Sequence, residues 1–402
     1  MSRQPYTCDW EQPFSPEEYR ARRAKVSAAL QAQGLDGILL TNPADIYYLT
    51  GYDMIWYHLR CMTSCFVRAE DGATTFFDSP AHRTMVETTP EITDVAWMSR
   101  FVPKDNAGEI ADALAERGMN DRKIGMQFWG YSPHHDTLRM VETAFKARGM
   151  TVSDASSLVE HIRLYKSDEE VAVIRQAAAI ADQAMTAARN IIAPGVMETE
   201  IQAEIMATMM RAGGGDPSIR TMVGSGTRAG THHSPAQHRR VGNDELVFVD
   251  FCGCLHRYHV NLNRTFALGE VDHRWYDLME RASATIDAIV EQTGPGDLLS
   301  KVQKVGDAAT DANGLRENVW FIGGYSLGIS MPPDWVGEIW VDPRAGAPDF
   351  EMKPGMVFNF EGQFDDTENW AGGSGAAYID SLLVTETGLE VLSSLPRTLV
   401  KV

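Results

Sequence analysis

The stretch KSDEEVAVIRQAAAIADQAMTAARNII, residues 166–192, divides the chain in two. Ser167 followed three residues later by Glu170 forms a capping box, and Ile174, Ala177, Ala178, Ala181 and Met185 recur at helical spacing, so the spacing predicts the first helix of a new domain. Before it, SPEEYRARRAKVSAALQAQG (residues 15–34) opens with Ser15, Pro16 and Glu18 and closes on Gly34, again a capped helix. DGILLTNPADIYYLTGY (36–52) reads as helix and strand in alternation, ATTFFD (73–78) and KIGMQF (123–128) as strands, and NAGEIADALAERG (106–118) as a helix. Residues 1–160 are therefore read as one α/β domain and 161–402 as a second. In the second, helices are expected at 197–214, 274–294 and 297–312. A strand pair is expected around ELVFVDFCGCLHRYHVNLNRTFALG (245–269), with closing strands at GMVFNFEG (355–362) and AAYIDSLLVTETG (376–388).

With 402 residues, 44% of them hydrophobic, the chain is long enough for two separate cores. A net charge of −19, with no basic stripe interleaved with aromatics, argues against a nucleic-acid partner. The opening MSRQPYTCDWEQPFSPEEYR has charges and prolines where a secretory signal needs an apolar core, and no apolar run reaches membrane-spanning length. The expectation is a cytoplasmic protein with no membrane partner. Five cysteines, Cys8, Cys61, Cys65, Cys252 and Cys254, fit reduced thiols better than a disulfide framework.

The order of the segments NPADIYYLTGY, LYKSDEEVAVIRQA, NRTFALG, KPGMVFNFEG and LLVTETG resembles the superfamily of creatinases, proline peptidases and methionine aminopeptidases. The resemblance implies a creatinase-like N-terminal α/β domain followed by a C-terminal α+β domain of the pita-bread fold. Metal-dependent members of that superfamily hold two divalent ions with two aspartates, a histidine and two glutamates, because hard cations placed close together need several anionic oxygens. The matching positions here are Asp250, Asn261, Tyr325, Glu361 and Ile379. Two carboxylates with an amide, a phenol and an alkyl group cannot balance two divalent charges, so neither metal nor other cofactor is expected. An alternative ligand set of Cys252, Cys254, His256 and His259 is suggested by the alternation of Asp250, Cys252 and Cys254 on one strand face. Against it, the C-x-C spacing has no second pair, and cysteine is commonly a small buried hydrophobe.

Two metal-free branches then serve as models, creatinase and ectoine hydrolase. GYSLGISMPPDW (324–335) and CGCLHRYHVNLNRTF (252–266) resemble the ectoine hydrolase branch, whereas creatinase has a histidine in the glycine turn. In GTRAGTHHSPAQHRR (226–240), His233 falls at the superfamily's proton-shuttling position, and histidine suits proton transfer in both directions near neutrality. Asp250 and Glu361 interrupt the apolar runs LVFVDF and MVFNFEG, which points to a polar task. The expected catalytic set is His233, Asp250 and Glu361, with Asn261, Tyr325 and Asp334 contacting substrate. The resemblance to creatinase-like dimers implies that GYDMIWYHLRCM (51–62) reaches into a partner subunit's site, where Arg60 would clamp a carboxylate and Trp56 and Tyr57 would face a cationic group, so a homodimer with shared sites is expected. The resulting expectation is a metal-independent hydrolase cleaving a C–N bond of a small zwitterionic amidine or guanidino compound. Alternatives are a creatinase-type amidinohydrolase, a metal-dependent Xaa-Pro peptidase, and a non-catalytic binding protein on the same fold.

Overall fold

Two residues, Gly253 and Gly306, show which way the second half of the chain faces. The computed structural model describes residues 10, 12–54, 62–99, 102–230, 232–343, 346–365 and 375–402. It forms two compact units, residues 1–163 and 164–402. The first contains α1 (Pro16–Ala32), β1 (Gly37–Leu40), α2 (Pro43–Thr50), β2 (Ser64–Arg68), β3 (Thr74–Asp78), α3 (Arg83–Thr88), β4 (Val95–Trp97), α4 (Pro103–Glu116), β5 (Lys123–Met126), α5 (His135–Lys146), β6 (Thr151–Asp154) and α6 (Leu158–Arg163). Among the described residues its strands run in the order β4-β3-β2-β1-β5-β6. Ser15 caps α1 by accepting the Glu18 N–H, and Asn42 with Pro43 starts α2, which Gly51 ends at φ 70°. Leu39, Ile124, Ile110, Leu114, Val141 and Phe145 pack the sheet against α4 and α5.

The second unit contains α7 (Asp168–Ile191), α8 (Glu198–Arg211), β7 (Met222–Ser225), β8 (Glu245–Leu255), β9 (Tyr258–Leu268), α9 (His273–Gln292), α10 (Ser300–Ala312), β10 (Val319–Gly323), β11 (Val357–Phe364), β12 (Ala376–Val384), β13 (Leu389–Val391) and β14 (Val400–Lys401). Both halves of the Ser167–Glu170 capping box form at the start of α7. The main path of the sheet, among the described residues, is β10-β11-β12-β9-β8-β7. The β8–β9 hairpin turns through His256 (φ 47°) and Arg257 (φ 63°), the pair of positive φ angles that a tight hairpin needs to match strand twist. None of the helices among the described residues is long and apolar enough to cross a membrane.

A Cβ on Gly253 would lie 2.3 Å from the Ala177 carbonyl oxygen and 2.7 Å from Ala181 Cβ, so this face of β8 presses directly on α7. Similarly, a Cβ on Gly306 in α10 would meet the Phe360 ring at 2.4 Å, which assigns that face of β11 to the helices. Side chains alternate along a strand, so Asp250, Cys252 and Cys254 on β8, and Asn359, Glu361 and Gln363 on β11, share the opposite face.

Replacing Gly253 by valine should destabilise the second unit by roughly 2–3 kcal/mol through overpacking against backbone that cannot yield. Gly108, in α4 with no heavy atom within 4 Å of its hypothetical Cβ, is the control. Its alanine variant should gain about 0.5–1 kcal/mol. Urea unfolding of both variants checks this, and an unshifted midpoint for Gly253→Val would refute the packing described.

Candidate functional site

Strand register draws one row across the sheet. Pro235 bridges Met222, Met222 pairs with Asp250, Asp250 with Asn263, Asn263 with Ile379, Ile379 with Glu361, and Glu361 with Gly323. The two carboxylates of this row are joined through side-chain amides. Asn261 Nδ2 donates to Asp250 Oδ1 (2.9 Å), Asn359 Nδ2 donates to Asn261 Oδ1 (3.0 Å) and to Glu361 Oε1 (2.8 Å), and Gln363 Nε2 donates to Glu361 Oε2 (2.8 Å). The orientation of the Asn359 amide is fixed because its Oδ1 must accept the Tyr325 N–H at 2.8 Å. Trp335 Nε1 donates to the Tyr325 hydroxyl (3.3 Å), so the aromatic side of the site is also tied in.

Asp250 and Glu361 are only 3% and 5% exposed, yet no basic side chain pairs with either among the described residues. Asp380, on the other face of β12, shows the contrast: it is fully buried and held by Arg264 at 2.8 Å and Arg397 at 3.6 Å. Burial pushes Glu361 up to about 7, against which its Tyr325, Asn359 and Gln363 hydrogen bonds work. Asp250 is raised well above the usual carboxylate range by burial first and by the Glu361 charge second. Burial and the same carboxylates also hold the Tyr325 phenol and the Cys252 thiol in their neutral forms. The arrangement is an enclosed pair of carboxyl groups, held toward their protonated forms by burial and ionised readily only when something else supplies a positive charge.

The residues at the five metal-ligand positions do not fit a pair of divalent ions. Asn261 turns an N–H toward Asp250, Asn359 and Gln363 do the same to Glu361, and Ile379 offers only carbon. The alternative set does not assemble either. His259 accepts the Ser218 N–H on Nε2 (2.9 Å) and donates from Nδ1 to the Arg257 carbonyl (2.8 Å), while His256 is exposed at the hairpin tip.

The histidine loop lies beside the row's far end. Glu198, fully buried, accepts the Ser225 N–H (2.9 Å), the Ser225 hydroxyl (2.8 Å) and the Gln237 N–H (2.9 Å) and pairs with Arg228. Arg228 in turn donates to Ser234 and to the Pro235 carbonyl. This network fixes both ends of the loop, but His233 itself is exposed at φ 66° and makes no hydrogen bond to Asp250 or Glu361. Its neighbour His232 is the buried one, its ring 4.9 Å from that of Trp320 and 5.3 Å from that of Phe248, with neither ring nitrogen partnered among the described residues and burial pushing it down to about 4. His238 is exposed, and Asp334 caps its own turn by accepting the Val336 N–H (2.9 Å) rather than joining the carboxylates. Arg60, Trp56 and Tyr57 lie outside the described residues. Asn359 and Gln363 were not singled out from sequence. The signal was available in NFEGQ, where polar residues at every second position interrupt an apolar strand.

Residues 172–386 match the family model described as metallopeptidase family M24, and residues 22–165 match the creatinase/prolidase N-terminal domain. The chain is 27% identical to an uncharacterized hydrolase/peptidase of Sinorhizobium fredii, over 96% of this chain and 98% of that protein. It is 26% identical to the ectoine hydrolase of Halomonas elongata, with the same 96% and 98% coverage. A prolidase structure from Thermococcus sibiricus superposes with a TM-score of 0.80 at 19% identity, covering 96% of this chain and 99% of that one, a likeness of fold.

The raised value of Glu361 fixes how stability should vary with pH. The folded state holds this proton more tightly than the unfolded chain does, so the contribution is fully present below about 4.5 and is lost as pH rises through about 7. The gap corresponds to about 3 kcal/mol, partly offset in a glutamine variant by one rearranged hydrogen bond. Glu361→Gln should therefore unfold at a higher temperature than the unmodified protein at pH 8 and show no such gain at pH 4.5. Thermal denaturation at the two pH values is the check, and equal pH dependence in both proteins would contradict the assignment.

Proposed function

The chain belongs to metallopeptidase family M24, and on that frame we propose a hydrolase that cleaves a C–N bond of a small cationic amidine or guanidino zwitterion without using a metal. The observation that carries the reading is the pair of buried, amide-linked carboxylates with no basic partner among the described residues. A bound amidinium supplies the missing charge, and its N–H groups are the donors that the remaining lone pairs require. The similarity to ectoine hydrolase across nearly the whole chain supports a cyclic amidine; a creatinase-type guanidino acid satisfies the same charge argument. The Xaa-Pro peptidase reading, suggested by a Pyrococcus furiosus Xaa-Pro dipeptidase 26% identical over 60% of this chain, has no support in the donor set at the ligand positions.

In the proposed reaction, water adds through oxygen to the amidinium carbon, and the proton it loses passes to a base. The C–N bond then breaks as the leaving nitrogen gains a proton, so amidinium and water become an amide and an ammonium group. Glu361 holds the charged N–H groups. Asp250, ionised once the cation is bound, serves as base or nucleophile, and His233 carries the proton, which requires its exposed side chain to turn toward the row. Arg60 is proposed to bind the substrate carboxylate in the site of a second copy, giving a homodimer with shared sites.

Turnover of ectoine and of creatine, followed by proton NMR in the presence of chelator, tests the class. His233→Ala and Asp250→Asn should fold and lose roughly 10²–10⁴ in rate, while His238→Ala keeps most of it. Two tightly bound divalent ions per chain, with activity abolished on their removal, would revive the peptidase reading. Because the ionised carboxylate binds the cation, kcat/KM should rise with pH up to about 7 and then level. A profile flat from pH 5 to 8 would remove Glu361 from substrate binding. Mixed Arg60→Ala and His233→Ala chains should regain activity, and failure despite demonstrated subunit exchange would place Arg60 elsewhere.

A further inference from the structure

Gln363 is 1% exposed, and its two ends have unequal fates. Nε2 donates to Glu361 Oε2 at 2.8 Å, whereas Oε1 is inaccessible to water and has no partner among the described residues. The amide cannot simply be reversed, because a carbonyl oxygen set against the ionised Glu361 would repel it. A buried carbonyl without a donor is costly, and proteins rarely leave one unless an ordered water, an ion or a ligand completes it. Across the strand pair Gln363 faces Ala377, a small side chain. A second unpartnered carbonyl, Asn263 Oδ1, lies in the same row, its own Nδ2 held by the Val249 carbonyl at 2.9 Å. Two acceptors of this row therefore lack donors among the described residues, and a positive charge alone would not correct that imbalance.

We propose that Gln363 is a specificity-determining residue whose Oε1, beside the Glu361 carboxylate, receives a second N–H from the same edge of the substrate. The inference rests on the cationic-substrate reading above and sharpens it. The preferred ligand is an amidinium or guanidinium that presents two adjacent N–H groups, and zwitterions whose cationic nitrogen is fully methylated are rejected because they leave the carbonyl unpaired. Rejection on such grounds is stronger than rejection by shape, since a buried polar group is stranded when the wrong ligand enters.

Three proteins and two probes test this by isothermal titration at pH 8: unmodified protein, Gln363→Leu and Gln363→Glu, each with guanidinoacetate and with glycine betaine. Leucine and glutamate both remove the N–H donated to Glu361, but only glutamate keeps an acceptor oxygen in place, so a role limited to the donated N–H would weaken binding in both variants. The expected result is guanidinoacetate binding weakened roughly ten- to a hundredfold by leucine and changed by less than about fivefold by glutamate, with betaine bound by none. Should Gln363→Leu fail to fold, Gln363→Met, of similar volume, takes its place. Binding of guanidinoacetate unchanged in the leucine variant, or weakened equally in both variants, overturns the role of Gln363 and leaves the cationic-substrate reading standing. If the unmodified protein binds neither probe, and no other amidinium or guanidinium zwitterion, both fall together.

Discussion

The absence of a side chain at Gly253 governs the second unit. With Ala177 and Ala181 of α7 in direct contact with that strand, the odd-numbered residues of β8 have no freedom to exchange faces with the even-numbered ones. Asp250 and Cys252 must then lie away from the helices, and register carries the same division through β9 and β12 to β11. A one-residue slip of β8 would bury Asp250 against α7 and turn Phe251 outward. The site is thus a consequence of helix–sheet packing, maintained by alanines on one side and glycine on the other.

What the amides do follows from that placement. In a site of this geometry, carboxylates without counter-ions among the described residues take up protons: burial raises both, and the Glu361 charge raises Asp250 further. Asn261, Asn359 and Gln363 do not remove the charge. They fix where the oxygens point by donating one N–H to each occupied lone pair, which leaves the carboxylates oriented and still electrically incomplete. Asp380, two strands from Asp250 and compensated by arginines, shows that the same sheet neutralises a carboxylate where the role is structural.

Much of this was legible in the sequence because its signals were local. The Ser167–Glu170 box, the long hairpin through residues 245–269 and the helices after it need only their own residues to be recognised, and the family models bear out the fold. Short strands such as β7 (Met222–Ser225) and β10 (Val319–Gly323) were missed because four or five residues containing glycine carry too little periodicity. Within the site, Asp250 and Glu361 stood out as charges in apolar runs. Asn359 and Gln363 did not, since neutral amides in a strand draw no attention until their partners are known. The adjacent histidines illustrate a harder limit. Loop residues have no period, so nothing in the sequence says that His232 is enclosed between Trp320 and Phe248 while His233, at φ 66°, is turned outward.

The incomplete charge of the row also gives the protein a way to report its own ligand. Any molecule that compensates Asp250 and Glu361 binds the folded chain alone, and it relieves a strain that grows as the carboxylates ionise. Compounds from a cell extract can therefore be ranked by how far each raises the unfolding temperature at alkaline pH, before any reaction is known. Asp380 already has its cation in Arg264, so compensation by a ligand belongs to the face on which Gly253 has placed the acids.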